Sequence, residues 1–338
     1  MSRRALQRLK NNTIPVDCQL FHIYLNTALP PGCHPFFRKR RKRTARLRGI
    51  VSRFLVWYIS AMKVRAIQFS PALGNVEKNL AFHIAKISQA IKDKRELIVF
   101  PELSISGYHL KDIAVDIALK KDGPAWREIE NLSKKIDIII GAPLEEDPGI
   151  IFNTALYFSK GKWRHTHRKV QLPNYGMFEE RMIFKPGDEF RTFRLGTMTA
   201  GILICREILF PMLAYLYFIQ KTDLLIGISN SPQRGIGKDG VSSFQLWENM
   251  GYVFSQFYHQ NYLFVNRVGF EDGIGFGGGS FFARAGQGIC RKAKVIDEDV
   301  LDAEVLPADV RRARLASNYL RDEQPQLVLK ELQRILHA

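Results

Sequence analysis

Polar and apolar positions divide the chain near residue 62, and beyond that point the pattern is regular. VRAIQF (Val64–Phe69) alternates as a half-buried strand does. Leu80, Ile84, Ile87 and Ile91 recur at helical spacing, which predicts an amphipathic helix that Asn75 is placed to cap. Leu97–Phe100 reads as a short apolar strand running into Pro-Glu, and Trp126, Ile129 and Leu132 predict a second helix before the strand Ile136–Ile140. Asn153–Phe158 and Trp163–Lys169 flank Ser-Lys-Gly-Lys, the composition of a hairpin turn. Strands follow at Thr192–Leu195 and Thr199–Ile204, a helix at Phe210–Ile219, a strand at Leu224–Ile228 and a long helix at Phe244–His259. Leu263–Asn266, Ser280–Ala283, Ile289–Lys292 and Val300–Val305 read as four more strands, and ADVRRARLASNYL and QPQLVLKELQRIL as two closing helices.

This order mixes α and β throughout, an α/β (α+β) chain. The runs DIIIGA and DLLIGI do not alternate, so their strands are expected to be covered on both faces. No internal repeat is visible. No apolar run reaches the roughly 18 to 20 residues that span a bilayer; the best, residues 50–62, is interrupted by Arg53, so no membrane span is expected.

Charge changes the picture only upstream of residue 63. The formal net charge is +17, but residues 1–62 alone hold 13 Lys and Arg against the single acid Asp17, leaving the remainder only mildly basic. Three readings of that segment compete: a targeting or membrane-surface arm, a nucleic-acid patch, and a solvated disordered extension. The third is preferred, because phosphate-binding loops and interleaved aromatics are missing there; an upstream start before Met62 is one account of it. No specific nucleic-acid partner is expected. The organisation read from the sequence is therefore a basic extension (1–62), a folded body (63–305) and a helical tail (306–338) that packs on the body or on a partner subunit. Four cysteines without CxxC spacing make a disulfide framework improbable and a reducing, cytoplasmic compartment the expectation.

Three stretches end apolar runs with a reactive group: IVFPELSISGY, HRKVQLPNYGMFEE and GILICREILFP. They supply Glu102, Lys169 and Cys205: a base, a cation and a nucleophile. Cysteine attacks as thiolate, a carboxylate such as Glu102 can take its proton, and a cation such as Lys169 can hold the oxyanion that forms on an amide carbonyl. The backbone N–H of Arg206 is a second candidate donor. A buried lysine needs a counter-charge, and Glu180 lies on the same loop. Taken singly, each residue has an ordinary structural explanation; a lone cysteine in an apolar run is most often a small core residue.

Those three stretches, in that order and with intervals of 67 and 36 residues, resemble the blocks of the nitrilase superfamily of carbon–nitrogen hydrolases. The resemblance covers nearly all of residues 63–338. It implies a four-layer α-β-β-α sandwich, catalytic roles for Glu102, Lys169 and Cys205, an additional glutamate at Glu180, no metal or organic cofactor, and pairing of subunits into a homo-oligomer. LPNYGMFEERMIFKPGDEF and the DVRRAR tail look most like the glutaminase-type amidase domain of glutamine-dependent NAD synthetases, with no synthetase domain expected here. Arg206, directly after the cysteine, departs from the aromatic or acidic residue of several subfamilies. The activity implied is thiol-dependent hydrolysis of a small carboxamide or N-carbamoyl substrate with release of ammonia. The alternatives are a nitrilase or acyltransferase using the same residues, and an idle binding scaffold.

Tyr108, Tyr175, Arg206 and Asn230 are weaker candidates for substrate contact, and Lys238 weaker still. The two tyrosines read more readily as packing residues with a polar tip than as substrate contacts. Glu207 reads as an ion-pair partner supporting the turn. GFGGGSF (275–281) reads as a glycine-rich hairpin rather than a phosphate cradle. His83, His109, His165, His167 and His259 show no helix-facing pair with a carboxylate, so no metal site is expected.

Overall fold

The computed structural model describes residues 61–233, 236–237 and 240–337. The basic extension through residue 60 and Lys238 lie outside them.

Two sheets carry the fold. The first contains β1 (Met62–Gln68), β2 (Leu97–Val99), β3 (Asp137–Asp147), β4 (Ile150–Ser159) and β5 (Lys162–Arg168). The second contains β6 (Phe193–Leu195), β7 (Met198–Ile204), β8 (Leu224–Ser229), β9 (Asn261–Asn266), β10 (Phe281–Arg284) and β11 (Gly288–Lys292), while β12 (Asp299–Val305) returns to the edge of the first. The spatial orders are β12-β1-β2-β3-β4-β5, with the two-residue strand Leu119–Lys120 also on β3, and β11-β10-β9-β8-β7-β6. Each sheet holds three adjacent parallel strands, an antiparallel strand at one edge and an antiparallel meander at the other. The two halves thus repeat one topology, although the sequence shows no repeat.

The apolar strand runs explain how the sheets stack. Along β8, Leu224, Ile226 and Ile228 face one core while Leu225 faces another. The first core joins the two sheets: Val64, Val99 and Ile139 from one meet Ile202, Ile204, Ile228 and Val265 from the other. On the outer face of the first sheet, Ile98, Ile138 and Phe158 pack against α1 (Val76–Lys92) through Ile87 and Ala90 and against α2 (Ala125–Leu132) through Trp126 and Ile129. On the outer face of the second, Leu203, Leu225, Phe264 and Phe281 pack against α3 (Pro211–Ile219) and α4 (Ser242–Gln256). Fully burying each such aliphatic or aromatic side chain contributes about 1.5–3 kcal/mol, which is why strands apolar on both sides settle between two apolar layers. The result is the four-layer α-β-β-α sandwich that the resemblance implies.

Local chemistry sets several boundaries. The Asn75 side chain accepts from Lys78 N at 3.0 Å and caps α1. The face of α1 that is most buried, however, is centred on Asn79, His83, Ile87 and Ala90; Leu80, Ile84 and Ile91 are only partly covered. Asn79 bridges Ala72 and Ile105, and His83 bridges the Asn79 carbonyl (2.7 Å) and the Ser104 hydroxyl (2.9 Å), so polar tethers rotate the helix. The turn between β4 and β5 has Lys160 and Gly161 both at positive φ, the twist a two-residue hairpin loop prefers. The glycine-rich segment contributes Gly275–Gly277 to the second arm of a hairpin, Val268–Glu271 with Ile274–Gly277, and then runs on into β10.

After β12, α5 (Pro307–Ala316) docks through Val310 and Ala313 on Ala285, and Arg314 donates to the Thr222 carbonyl at 2.7 Å. The following α6 (Pro325–Leu336) buries no side chain. Among the described residues, no helix is long and apolar enough to cross a membrane.

Candidate active site

Glu102 follows β2, Lys169 directly follows β5 and Cys205 directly follows β7. Strand ends release the backbone from ladder pairing and let side chains project into a common space. Here the structure brings the three together with Glu180, which opens a one-turn helix at Glu180–Ile183.

Lys169 is the centre. Its side chain is fully buried, and Nζ donates to Glu102 Oε1 at 2.6 Å and to Glu180 Oε1 at 2.7 Å. Burial opposes the ammonium charge, but the two carboxylates override it and hold Lys169 protonated well above its ordinary range. Glu180 shows the opposite balance. Burial pushes it up to about 7, with Lys169 pulling down and Glu102 adding repulsion. Tyr108 supports it by donating its hydroxyl to Glu180 Oε1 at 2.6 Å.

Glu102 is fully buried and held by three donors. Oε1 accepts from Lys169 and from Asn153 Nδ2 (2.8 Å), and Oε2 accepts from Asn230 N (2.8 Å). Each carboxylate oxygen offers two lone-pair directions. Among the described residues Oε1 has both filled and Oε2 has one left.

Cys205 starts a short 3-10 turn, Cys205–Leu209, with φ +47°, a left-handed conformation that an ordinary side chain adopts only under constraint. Glu207 supplies that constraint. Its Oε1 accepts from Val170 N at 2.6 Å, and its Oε2 accepts from Ile204 N at 2.7 Å and from His167 Nε2 at 2.8 Å. Because Val170 adjoins Lys169 and Ile204 adjoins Cys205, one buried carboxylate ties the two strand ends together. This fits the structural reading of Glu207. The Cys205 thiol is buried; burial and the Glu102 charge push it up to about 12 against the pull of Lys169, so it rests protonated.

The weaker candidates separate. Tyr108 is buried and engaged through its hydroxyl. Asn230 is fully buried, and neither polar atom of its side chain has a partner among the described residues. Tyr175 is 44% exposed, hence not a core packing residue. Its hydroxyl accepts from Arg206, whose guanidinium lies 4.6 Å from the Tyr175 ring centroid and 5.4 Å from that of Phe210. Sequence reasoning passed over Asn153 and the buried pair Arg267–Glu271. The only signal for Asn153 was a lone amide inside the apolar run IIFNTALYF. Among the described residues no group of three or more His, Cys, Asp or Glu is arranged to hold a metal ion.

Residues 63–315 match the carbon–nitrogen hydrolase family. The chain belongs to it. Among curated proteins, a glutamine-dependent NAD(+) synthetase of Thermotoga maritima is 26% identical over 247 residues, which cover 72% of this chain and 42% of that protein. The chain thus spans less than half the length of the first synthetases it matches. A nitrilase of Pyrococcus abyssi is 26% identical over 75% of this chain and 93% of its own length. A solved carbon-nitrogen hydrolase of Helicobacter pylori superposes with a TM-score of 0.72 over 81% of this chain and 99% of its own, at 22% identity, and so speaks for the shared fold. The protein is a carbon–nitrogen hydrolase with the α-β-β-α fold of this family.

Proposed function

We propose that this carbon–nitrogen hydrolase cleaves a small carboxamide or N-carbamoyl substrate through a thioester on Cys205. The reading is carried by one observation: Lys169 joins Glu102 to Glu180 in a buried cluster that borders a cysteine held at φ +47°. Because the thiol rests protonated, proton transfer has to accompany attack. Glu102 Oε2, with its one unfilled acceptor direction, takes the Cys205 proton as sulfur bonds to the substrate carbon. The carbonyl oxygen becomes an oxyanion stabilised by Lys169 and by the Arg206 backbone N–H. Collapse breaks the carbon–nitrogen bond, and Glu102 returns its proton to the departing nitrogen, which leaves as ammonia. Water then gives a proton to Glu102 and its oxygen to the thioester carbon. Collapse then breaks the carbon–sulfur bond, Glu102 returns its proton to the departing sulfur, and release of the acid leaves the thiol and the Glu102 carboxylate restored. Glu180, braced by Tyr108, keeps Lys169 in place through both halves.

The reading is tested by incubating the protein with a panel of small amides, N-carbamoyl amines and nitriles, following intact mass and ammonia together. An acyl adduct on Cys205 with ammonia release is expected; turnover surviving in Cys205→Ala would overturn the mechanism. A nitrile that gives acid in place of the amides would move the assignment to a nitrilase. The family resemblance also leads us to propose a homo-oligomer, supported by the apolar side chains Leu329, Leu332, Ile335 and Leu336 left exposed on α6. Sedimentation velocity decides that point, since a monomer at micromolar concentration removes it.

A further inference from the structure

Arg267 and Glu271 form a second buried ion pair beside the site. Arg267 is fully buried and Glu271 is 6% exposed; Arg267 Nη1 donates to Glu271 Oε2 at 2.6 Å. The Arg267 guanidinium lies 4.2 Å from the Phe276 ring centroid, and Phe276 meets the edge of Tyr108 at 6.2 Å. The other carboxylate oxygen, Glu271 Oε1, accepts from two successive backbone donors, Tyr108 N at 2.8 Å and His109 N at 2.7 Å, with His109 Nδ1 at 3.4 Å. Removing two charges from water costs several kcal/mol, and well-packed apolar residues commonly do as well or better for stability. Stability alone therefore gives little reason for such a pair. What it does is grip the backbone of the residue whose hydroxyl reaches Glu180.

We propose that Glu271, anchored by Arg267, is a positioning residue for the active site: it fixes the Tyr108 backbone so that the Tyr108 hydroxyl holds Glu180 against Lys169. The chain of contacts runs Arg267, Glu271, Tyr108, Glu180, Lys169, Glu102, with every link between 2.6 and 2.8 Å. Glu271 touches no reacting atom and acts through Tyr108. This rests on the reading of Cys205 as a nucleophile served by Glu102 and Lys169.

The test is a mutant cycle read by a probe that needs no known substrate. Iodoacetamide alkylation of Cys205 is followed by peptide mass, with the exposed Cys290 as internal reference. Arg267→Met/Glu271→Ala removes the grip without leaving a lone buried charge, Tyr108→Phe removes the hydroxyl, and the triple variant combines them. Each change is expected to slow alkylation about tenfold alone, and the triple variant to fall no more than about twofold below Tyr108→Phe, since coupled groups are not additive. Arg267→Met/Glu271→Gln, which keeps an acceptor for both amides, is expected to recover to within about threefold of the unmodified protein. Losses that multiply in the triple variant, or no recovery with glutamine in a folded protein, overturn the proposal. Unmodified Cys205 left unalkylated in the folded protein while the exposed Cys290 is modified would instead sink the nucleophile reading beneath it.

Discussion

The His167 imidazole and the Glu207 carboxylate meet at 2.8 Å with both side chains buried, linking the end of β5 to the turn that carries Cys205. A carboxylate only accepts, so His167 donates through Nε2. Glu207 thus accepts from three donors, the buried His167 Nε2 and Ile204 N and the half-buried Val170 N. The lysine and the cysteine therefore share one fixed point, and the spacing between them does not depend on packing alone.

Glu207→Ala would leave those three donors without their acceptor, two of them fully buried. Each orphaned group costs about 1–3 kcal/mol, so a loss of at least about 3 kcal/mol is expected, seen as a lower urea midpoint. Glu207→Gln, which keeps an acceptor but loses the charge, is expected to lose about half as much. Equal midpoints for the alanine variant and the unmodified protein would remove Glu207 from its role as a tie.

Gly141, in β3, tests how tightly Glu102, the proposed base, is held. A Cβ built there would lie 2.4 Å from both Leu103 N and the Pro101 carbonyl oxygen and 2.8 Å from Glu102 C. Those are backbone atoms, which cannot swing away as a side chain would. Gly141→Ala is expected to push the Glu102 loop off the sheet, costing about 1–3 kcal/mol of stability and more than tenfold in kcat. Thermal unfolding and turnover measured on one preparation check both halves.

The apolar runs made most of the sandwich legible, because strands covered on both faces and helices with one apolar stripe leave periodic traces. Glu102, Lys169 and Cys205 were legible as reactive groups at the ends of such runs. Their meeting was not, since Glu102 and Cys205 belong to different sheets and only the stacking of those sheets brings them together. The repeated topology was hidden for a related reason: strand order and direction recur while residue identities do not. Tertiary partners decided the rest. Asn79 and His83 lie on the buried side of α1 because Ala72, Ile105 and Ser104 offer them hydrogen bonds, which no helical periodicity encodes.

Two buried groups give stability opposite dependences on pH. Glu180 is raised from 4.5 to about 7 by burial, so its contribution is fully present below pH 4.5 and is lost as pH rises through 7. His83 is lowered from 6.5 to about 4 by burial, so its contribution is present above pH 6.5 and is lost as pH falls through 4. The two offset each other between about pH 4.5 and 6.5. Relative to the unmodified protein, Glu180→Gln is expected to lose stability more steeply as pH falls across that window, and His83→Gln less steeply. Urea midpoints at pH 4.5, 5.5, 6.5 and 7.5 measure both slopes, and equal slopes in all three proteins would contradict the assignment.

Arg206 separates binding from chemistry. The proposed mechanism uses its backbone N–H for the oxyanion, while its guanidinium lies over the Tyr175 ring and donates to the Tyr175 hydroxyl at the exposed edge of the site, where a substrate could meet it. Arg206→Ala keeps the backbone donor and removes only the guanidinium. The expected result is a folded protein with unchanged iodoacetamide reactivity at Cys205, kcat within about twofold, and KM raised roughly fivefold or more for the substrate the panel identifies, the pattern of a lost ground-state contact. Tyr175→Phe, which removes the hydroxyl but keeps the ring beneath the guanidinium, should raise KM less. A fall in kcat with KM unchanged would place the guanidinium in the transition state instead, and the oxyanion assignment would then have to include it.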